Sequence, residues 1–141
     1  MRIVLDTTIA VKWYAEEEFS DRARAILAKT LRGQATLLAP DIIQGEFANS
    51  FRNTKKKNLI TDEEAIPLWR AFTEVPIVLV PPFELMEDAI ALSLAHNETA
   101  SDGLFVALAL REGLKVVTGD WRMHKAFVST GCLVHISQFA L

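Results

Sequence analysis

Four acidic side chains stand where a carboxylate can do chemistry: Asp6, Glu46, Asp102 and Asp120. Asp6 directly follows the apolar run Ile3-Val4-Leu5, and Asp120 follows Val116-Val117-Thr118 after one glycine, so both belong at the carboxyl ends of β-strands. Glu46 interrupts an apolar helix face: at about 100° per residue it falls between Ile42 and Ile43, with Asn49 and Asn53 in a narrow polar stripe beside it. Asp102 opens the apolar run Gly103 to Leu110, where the helix dipole favours a carboxylate by about 0.3–1 kcal/mol. Each acid also has an ordinary reading: a cap near Thr8 for Asp6, a Gly-Asp turn for Asp120, a solvated face for Glu46, and a capping box with Thr99 for Asp102. Taken together, the acids suggest more. If they converge they repel, because two unit charges about 4 Å apart cost about 4 kcal/mol at an effective dielectric of about 20. A divalent cation removes that cost, and an oxygen-only donor set suits Mg²⁺ or Mn²⁺. Cys132 is the only cysteine and His96, His124 and His135 are scattered, so no zinc set is in view.

The elements that must position these acids alternate. Arg2 to Leu5 reads as a strand, Ile9 to Glu17 as a helix, and Ser20 to Leu31 as a second helix with Ser20 as its N-cap. A strand over Ala35 to Ala39 is closed by Pro40, and a helix follows from Asp41 to about Arg52, then a polar stretch over Asn53 to Asn58. Thr61-Asp62-Glu63-Glu64 is a capping-box start for a helix to about Thr73. Ile77 to Val80 is a strand, Glu84 to His96 a helix, and Thr99 opens the apolar helix that Gly113 closes. Lys115 to Thr118 is a strand, Trp121 to Ser129 a helix and Leu133 to Ile136 a last strand. Alternating apolar strands and helices predict an α/β fold with a central parallel sheet covered on both faces. Ligands of such sheets bind at the carboxyl ends of the strands, near a switch in strand order.

The chain has 141 residues, half of them apolar, enough for one domain over residues 1–141 with a full core. No apolar run approaches the roughly 20 residues that span a bilayer. The N-terminus lacks a signal-peptide pattern, and the default expectation is a cytoplasmic protein. Fifteen basic and 18 acidic residues give a net charge of −3, which counts against gripping nucleic acid by bulk positive charge but leaves an approach to phosphate through a bound cation. Arg52, Lys55, Lys56 and Lys57 form the one basic cluster, either a solvated loop or a group that steers RNA.

At the four acids the chain resembles the PIN-domain family, in particular its VapC-type toxin ribonucleases. The resemblance is carried by Ile3 to Thr8 with Trp13 downstream, Pro40 followed by Glu46-Phe47-Ala48-Asn49, Ser101 to Ala109, and Val117-Thr118-Gly119-Asp120, in register over nearly the whole chain. It implies a three-layer α/β/α fold and Mg²⁺- or Mn²⁺-dependent endonuclease action on RNA by metal-activated water. It also implies a homodimer and a VapB-type antitoxin. Asp6, Glu46, Asp102 and Asp120 map onto the family's acidic site, and Thr8, Asn49 and Thr118 onto polar positions around it. The sequence departs from the family at Ser101, where an aromatic residue is common, and after Asp120, where Trp121-Arg122-Met123 replaces a further acid. The second departure puts a second metal in question. Three rival readings stand beside this one. A catalytically silent PIN-type binding module keeps the fold without the chemistry. A haloacid-dehalogenase-type phosphatase needs an aspartate where Thr8 stands. A receiver module needs an acidic pair at Asp6.

Overall fold

The computed structural model describes residues 1–141. Its strands are β1 (Arg2–Leu5), β2 (Thr36–Pro40), β3 (Ile77–Val80), β4 (Val116–Thr118) and β5 (Leu133–His135). They form one parallel sheet in the order β3-β2-β1-β4-β5. The chain therefore builds outward from β1 through β2 to β3, then crosses back to lay β4 on the other side of β1. The switch point lies between β1 and β4, where Val4 pairs with Val116 and Leu5 with Val117. The next residue along β1 is Asp6, and the next along β4 is Thr118.

Seven α-helices flank the sheet: α1 (Thr7–Tyr14), α2 (Ser20–Leu31), α3 (Ile43–Lys56), α4 (Asp62–Glu74), α5 (Met86–His96), α6 (Ala100–Glu112) and α7 (Trp121–Phe127). The α/β expectation is borne out, and β3 has the limits read from the sequence. Helix α6 is buried on all sides from Gly103 to Ala109, because it packs on β1, β2 and β4 while α5 covers its back. Gly103 permits that close approach: a Cβ there would lie 2.7 Å from the Ala89 carbonyl oxygen of α5. Thr99 caps α6 by accepting the Asp102 N–H, and Gly113 ends it at φ 67.

Two local expectations fail for reasons of packing. Ser20 does not cap α2. Its hydroxyl donates to the Ala15 carbonyl and accepts the Glu17 N–H, closing the loop before the helix, while Phe19 takes the cap position at φ 66. The polar stretch from Asn53 continues α3 to Lys56 instead of forming a loop. Thr54, which is buried, turns its hydroxyl to the Ser50 and Phe51 carbonyls under Tyr14, so the helix gains a packed face there. The Thr61 capping box of α4 is present as read.

Gly103→Ala tests the α5–α6 contact. The gain in helix propensity is outweighed by overpacking against backbone, which typically costs about 1–3 kcal/mol. Chemical denaturation should show a net loss of stability, and a variant as stable as the parent would show that the helices have room to part.

Candidate active site

All four acids arrive at the carboxyl edge of the sheet by different routes. Asp6 ends β1 and Asp120 follows β4. Glu46 lies in the first turn of α3, which leaves the end of β2, and Asp102 in the first turn of α6, the helix that lies across the switch point. The rotation of α3 is set by Phe47, which is buried and stacks on Phe72 of α4 with ring centroids 4.1 Å apart. That anchor leaves its neighbour Glu46 directed along the sheet edge.

Asp6 is 5 % exposed and is engaged by hydroxyls, with no basic partner. Thr118 donates to its Oδ2 over 2.8 Å, and Thr8 donates to the same oxygen. The two threonines are oriented by the turn between β4 and α7: Gly119 N–H donates to Thr8 Oγ1 over 2.8 Å and Asp120 N–H to Thr118 Oγ1 over 3.0 Å. With backbone donors on their lone pairs, both hydroxyls point their protons at Asp6, which locks the Asp6 and Asp120 segments together. Burial raises the Asp6 carboxyl above its ordinary value. The two hydroxyls oppose that rise and the Asp102 charge adds to it. Burial also raises Glu46, against the Thr7 hydroxyl that donates to its Oε1, and the charges of Asp6 and Asp102 push it further. Asp6, Glu46 and Asp102 are therefore close enough to repel one another.

The other half of the site is held by Arg122. One guanidinium nitrogen lies 3.0 Å from Asp102 Oδ2 and 3.2 Å from Asp120 Oδ2, and the other bonds Glu98. Asp102 and then Glu98 raise Arg122 still further above its ordinary range, so it stays charged. Asp120 also caps α7 through the Arg122 N–H.

In this arrangement no three acidic, histidine or cysteine side chains close around one point tightly enough to hold a metal ion. The donor set nevertheless fits one. The oxygens belong to carboxylates that repel each other in a buried setting, Asp6 has no cationic partner, and no histidine or thiolate competes. The histidines go elsewhere. His135 is buried against Trp121, with stacked rings 3.6 Å apart, and His96 lies 3.1 Å from the Ala126 carbonyl.

Of the residues read as surrounding the acids, Thr8 and Thr118 touch Asp6, whereas Asn49 is exposed beside Arg52, Asn53 and Lys56 and bonds none of the acids. Within the basic cluster Lys55 is held 2.7 Å from Asp62, and Lys57 lies 3.7 Å from Glu17. Sequence reasoning missed Thr7 and Arg122. Thr7 stood inside a quoted motif, and Arg122 was visible only as a departure.

Comparison with known proteins bears on the family and the fold. The pattern of the PIN domain matches residues 3–127. A protein named ribonuclease VapC3 from Pyrobaculum aerophilum is 28% identical over 131 residues, covering 90% of this chain and 95% of that one. Ribonuclease VapC12 from Mycobacterium tuberculosis is 32% identical over 121 residues, covering 86% and 88%. Among solved structures, VapBC2 from Rickettsia felis, bound to a fragment of its promoter DNA, superposes with a TM-score of 0.63 at 17% identity, covering 96% of this chain and 97% of that one. FitAcB from Neisseria gonorrhoeae superposes with a TM-score of 0.57 at 20% identity, covering 99% and 100%. At those identities the two structures speak for the fold.

Two predictions follow from the charges. A carboxyl raised in the fold contributes stability that is complete below its unfolded value and is lost as pH rises through the raised one. Asp6→Asn keeps an acceptor for both threonines and removes the charge, so it should raise the melting temperature at neutral pH in chelator. It should also abolish the rise that Mg²⁺ or Mn²⁺ gives the parent. A variant that melts lower in chelator and still responds to metal contradicts the assignment. Arg122→Met removes the cation that bridges three acids. It should melt below the parent in chelator and gain more from Mg²⁺, and an unchanged pair of melting temperatures would make Arg122 a bystander.

Proposed function

The chain belongs to the PIN-domain family, alongside the VapC-type ribonucleases, and from that premise we propose that it is an endoribonuclease dependent on Mg²⁺ or Mn²⁺. The observation that carries this reading is the gathering of Asp6, Glu46 and Asp102 at the switch point, where burial and mutual repulsion hold two of them above their ordinary values. Asp6, Glu46, Asp102 and Asp120 are the proposed ligands. When bound, such a cation lowers the pKa of a coordinated water and offsets the charge of the phosphate under attack. The chain's own part is to aim. Thr8 and Thr118 fix the rotamer of Asp6, Thr7 fixes Glu46, and Arg122 brings Asp102 to Asp120. Arg52 and Lys56, which are exposed and in no ion pair, are proposed to steer RNA to the edge where Glu46 lies.

An antitoxin partner and a homodimer belong to the same proposal. The antitoxin is supported by VapBC2 as a structural relative, and a protein interface of either kind by apolar side chains left bare around β3 and α5, among them Phe83 at 92 % exposure and Leu94 at 80 %. No helix is long and apolar enough to cross a membrane, and the cytoplasm is the proposed location. A catalytically silent PIN module is the second reading. It is favoured by one feature: Arg122 already satisfies Asp102, Asp120 and Glu98.

Incubation of the purified chain with structured and single-stranded RNA separates the two readings. The nuclease reading expects cleavage in Mg²⁺ or Mn²⁺, none in chelator, and a loss of roughly 100-fold, or about 2.7 kcal/mol of barrier, in Asp6→Asn and in Asp102→Asn. Cleavage that survives chelation and both substitutions would refute it. Binding of several RNAs without cleavage would favour the silent module.

A further inference from the structure

A polar pocket opens beside the acids, and neither the fold nor the proposed metal chemistry accounts for it. Its volume is about 390 Å³, and only one hydrophobic residue, Val11, lines it. Thr7, Thr8 and Gly119 form the rim shared with the acidic edge, so the pocket begins at the residues whose hydroxyls hold Glu46 and Asp6. Its far wall is α3. Glu46, Ser50 and Asn53 fall within about 60° of each other at about 100° per residue, so one helix face runs ~10 Å from the acid into the pocket, and Lys57 caps its end.

The cations of the pocket are unusual. Lys12 is only 8 % exposed, yet its ammonium makes no hydrogen bond, and its nearest carboxylate, Glu17, stands 3.7 Å away. Lys57 approaches the other oxygen of Glu17, also at 3.7 Å. Two ammonium groups thus share one carboxylate at longer than hydrogen-bond range, leaving a surplus positive charge and free donors. The Asn53 amide makes no hydrogen bond within the chain and adds another donor. The stem of Lys12 lies across Gly119, where a Cβ would meet Lys12 Cε at 2.6 Å, so the turn that carries Asp120 is shaped to let this lysine pass. The Lys12 stem is buried but its ammonium still reaches solvent at the pocket, so an anion with several acceptor oxygens entering there would meet free donors from both lysines and Asn53.

We propose that this pocket is a phosphate subsite, in which Lys12, Lys57 and Asn53 bind a backbone phosphodiester of the RNA strand next to the one being cut. The substrate identity rests on the endoribonuclease reading. The subsite itself rests on the pocket and its unpaired donors. It positions the strand, and Lys12 takes no part in bond cleavage.

The test uses the full chain, a fluorescently labelled single-stranded RNA in chelator, and anisotropy over a KCl series, with KM and kcat measured in parallel in Mn²⁺. A single-stranded DNA of the same sequence forms a second arm. Lys12→Gln and Lys57→Gln should each weaken binding roughly 5- to 10-fold at low salt and lower the salt slope by about one. KM should rise with kcat unchanged. Lys115→Gln, at the opposite edge of the sheet, should match the parent. Lys57 is half exposed, so its variant keeps the test decisive if Lys12→Gln does not fold. The same lysine dependence in the DNA arm supports recognition of the backbone. Affinity and slope equal to the parent in the lysine variants overturn the subsite, even if RNA is cleaved. Lysine-dependent binding with no cleavage in Mn²⁺ upholds the subsite and favours the silent module over the nuclease reading.

Discussion

The structure is organised around a carboxylate buried among other negative charges. Asp6 sits at the end of a central strand and is almost wholly shielded from water. It is held by two hydroxyls with no basic partner, and it lies within reach of the charge of Asp102. An apolar side chain in its place would pack at no electrostatic cost. Retaining an acid there is a liability for the fold and is intelligible as the requirement of a site that must receive a cation.

The remaining elements serve that constraint. The crossover that lays β4 beside β1 puts Thr118 opposite Asp6 and the Gly119-Asp120 turn over Thr8. Helix α6, buried on all sides and held close to α5 by Gly103, delivers Asp102 to the same edge. The Phe47–Phe72 stack fixes the turn of α3 that carries Glu46. Arg122, from the exposed side of the edge, holds the two acids on the β4 side. A phosphate pocket beside this edge gives the site a direction. Acids mark the place of reaction, and the face of α3 leads the strand away towards Lys57.

Much of this was legible in the sequence because it depends on local pattern. The apolar runs at Ile3 to Leu5 and Val116 to Thr118 placed two acids at strand ends, and the break in the apolar face of α3 marked Glu46. The Thr61 capping box and the Gly113 stop are local devices, and both formed as read. The misses depend on contacts that local pattern does not encode, some between neighbouring turns and some between distant elements. Ser20 carries every mark of a cap but is claimed by the Ala15 carbonyl. Asn53 to Lys56 look like a loop until Tyr14 packs against Thr54. Thr7 and Lys12 belong to α1, whose contacts with α3 and β4 decide what each touches, and no periodicity reveals them. Arg122 read as the loss of an acid, and only the folded turn shows it bridging Glu98, Asp102 and Asp120.

The central claim is that these repelling carboxylates are assembled to take a divalent cation, and diffraction can locate one directly. Crystals equilibrated with Mn²⁺ and measured at its absorption edge should show an anomalous peak bounded by the carboxylates of Asp6 and Asp102. Crystals saturated with Mn²⁺ that show no peak there, with Arg122 still bonded to Asp102 and Asp120, would contradict the account.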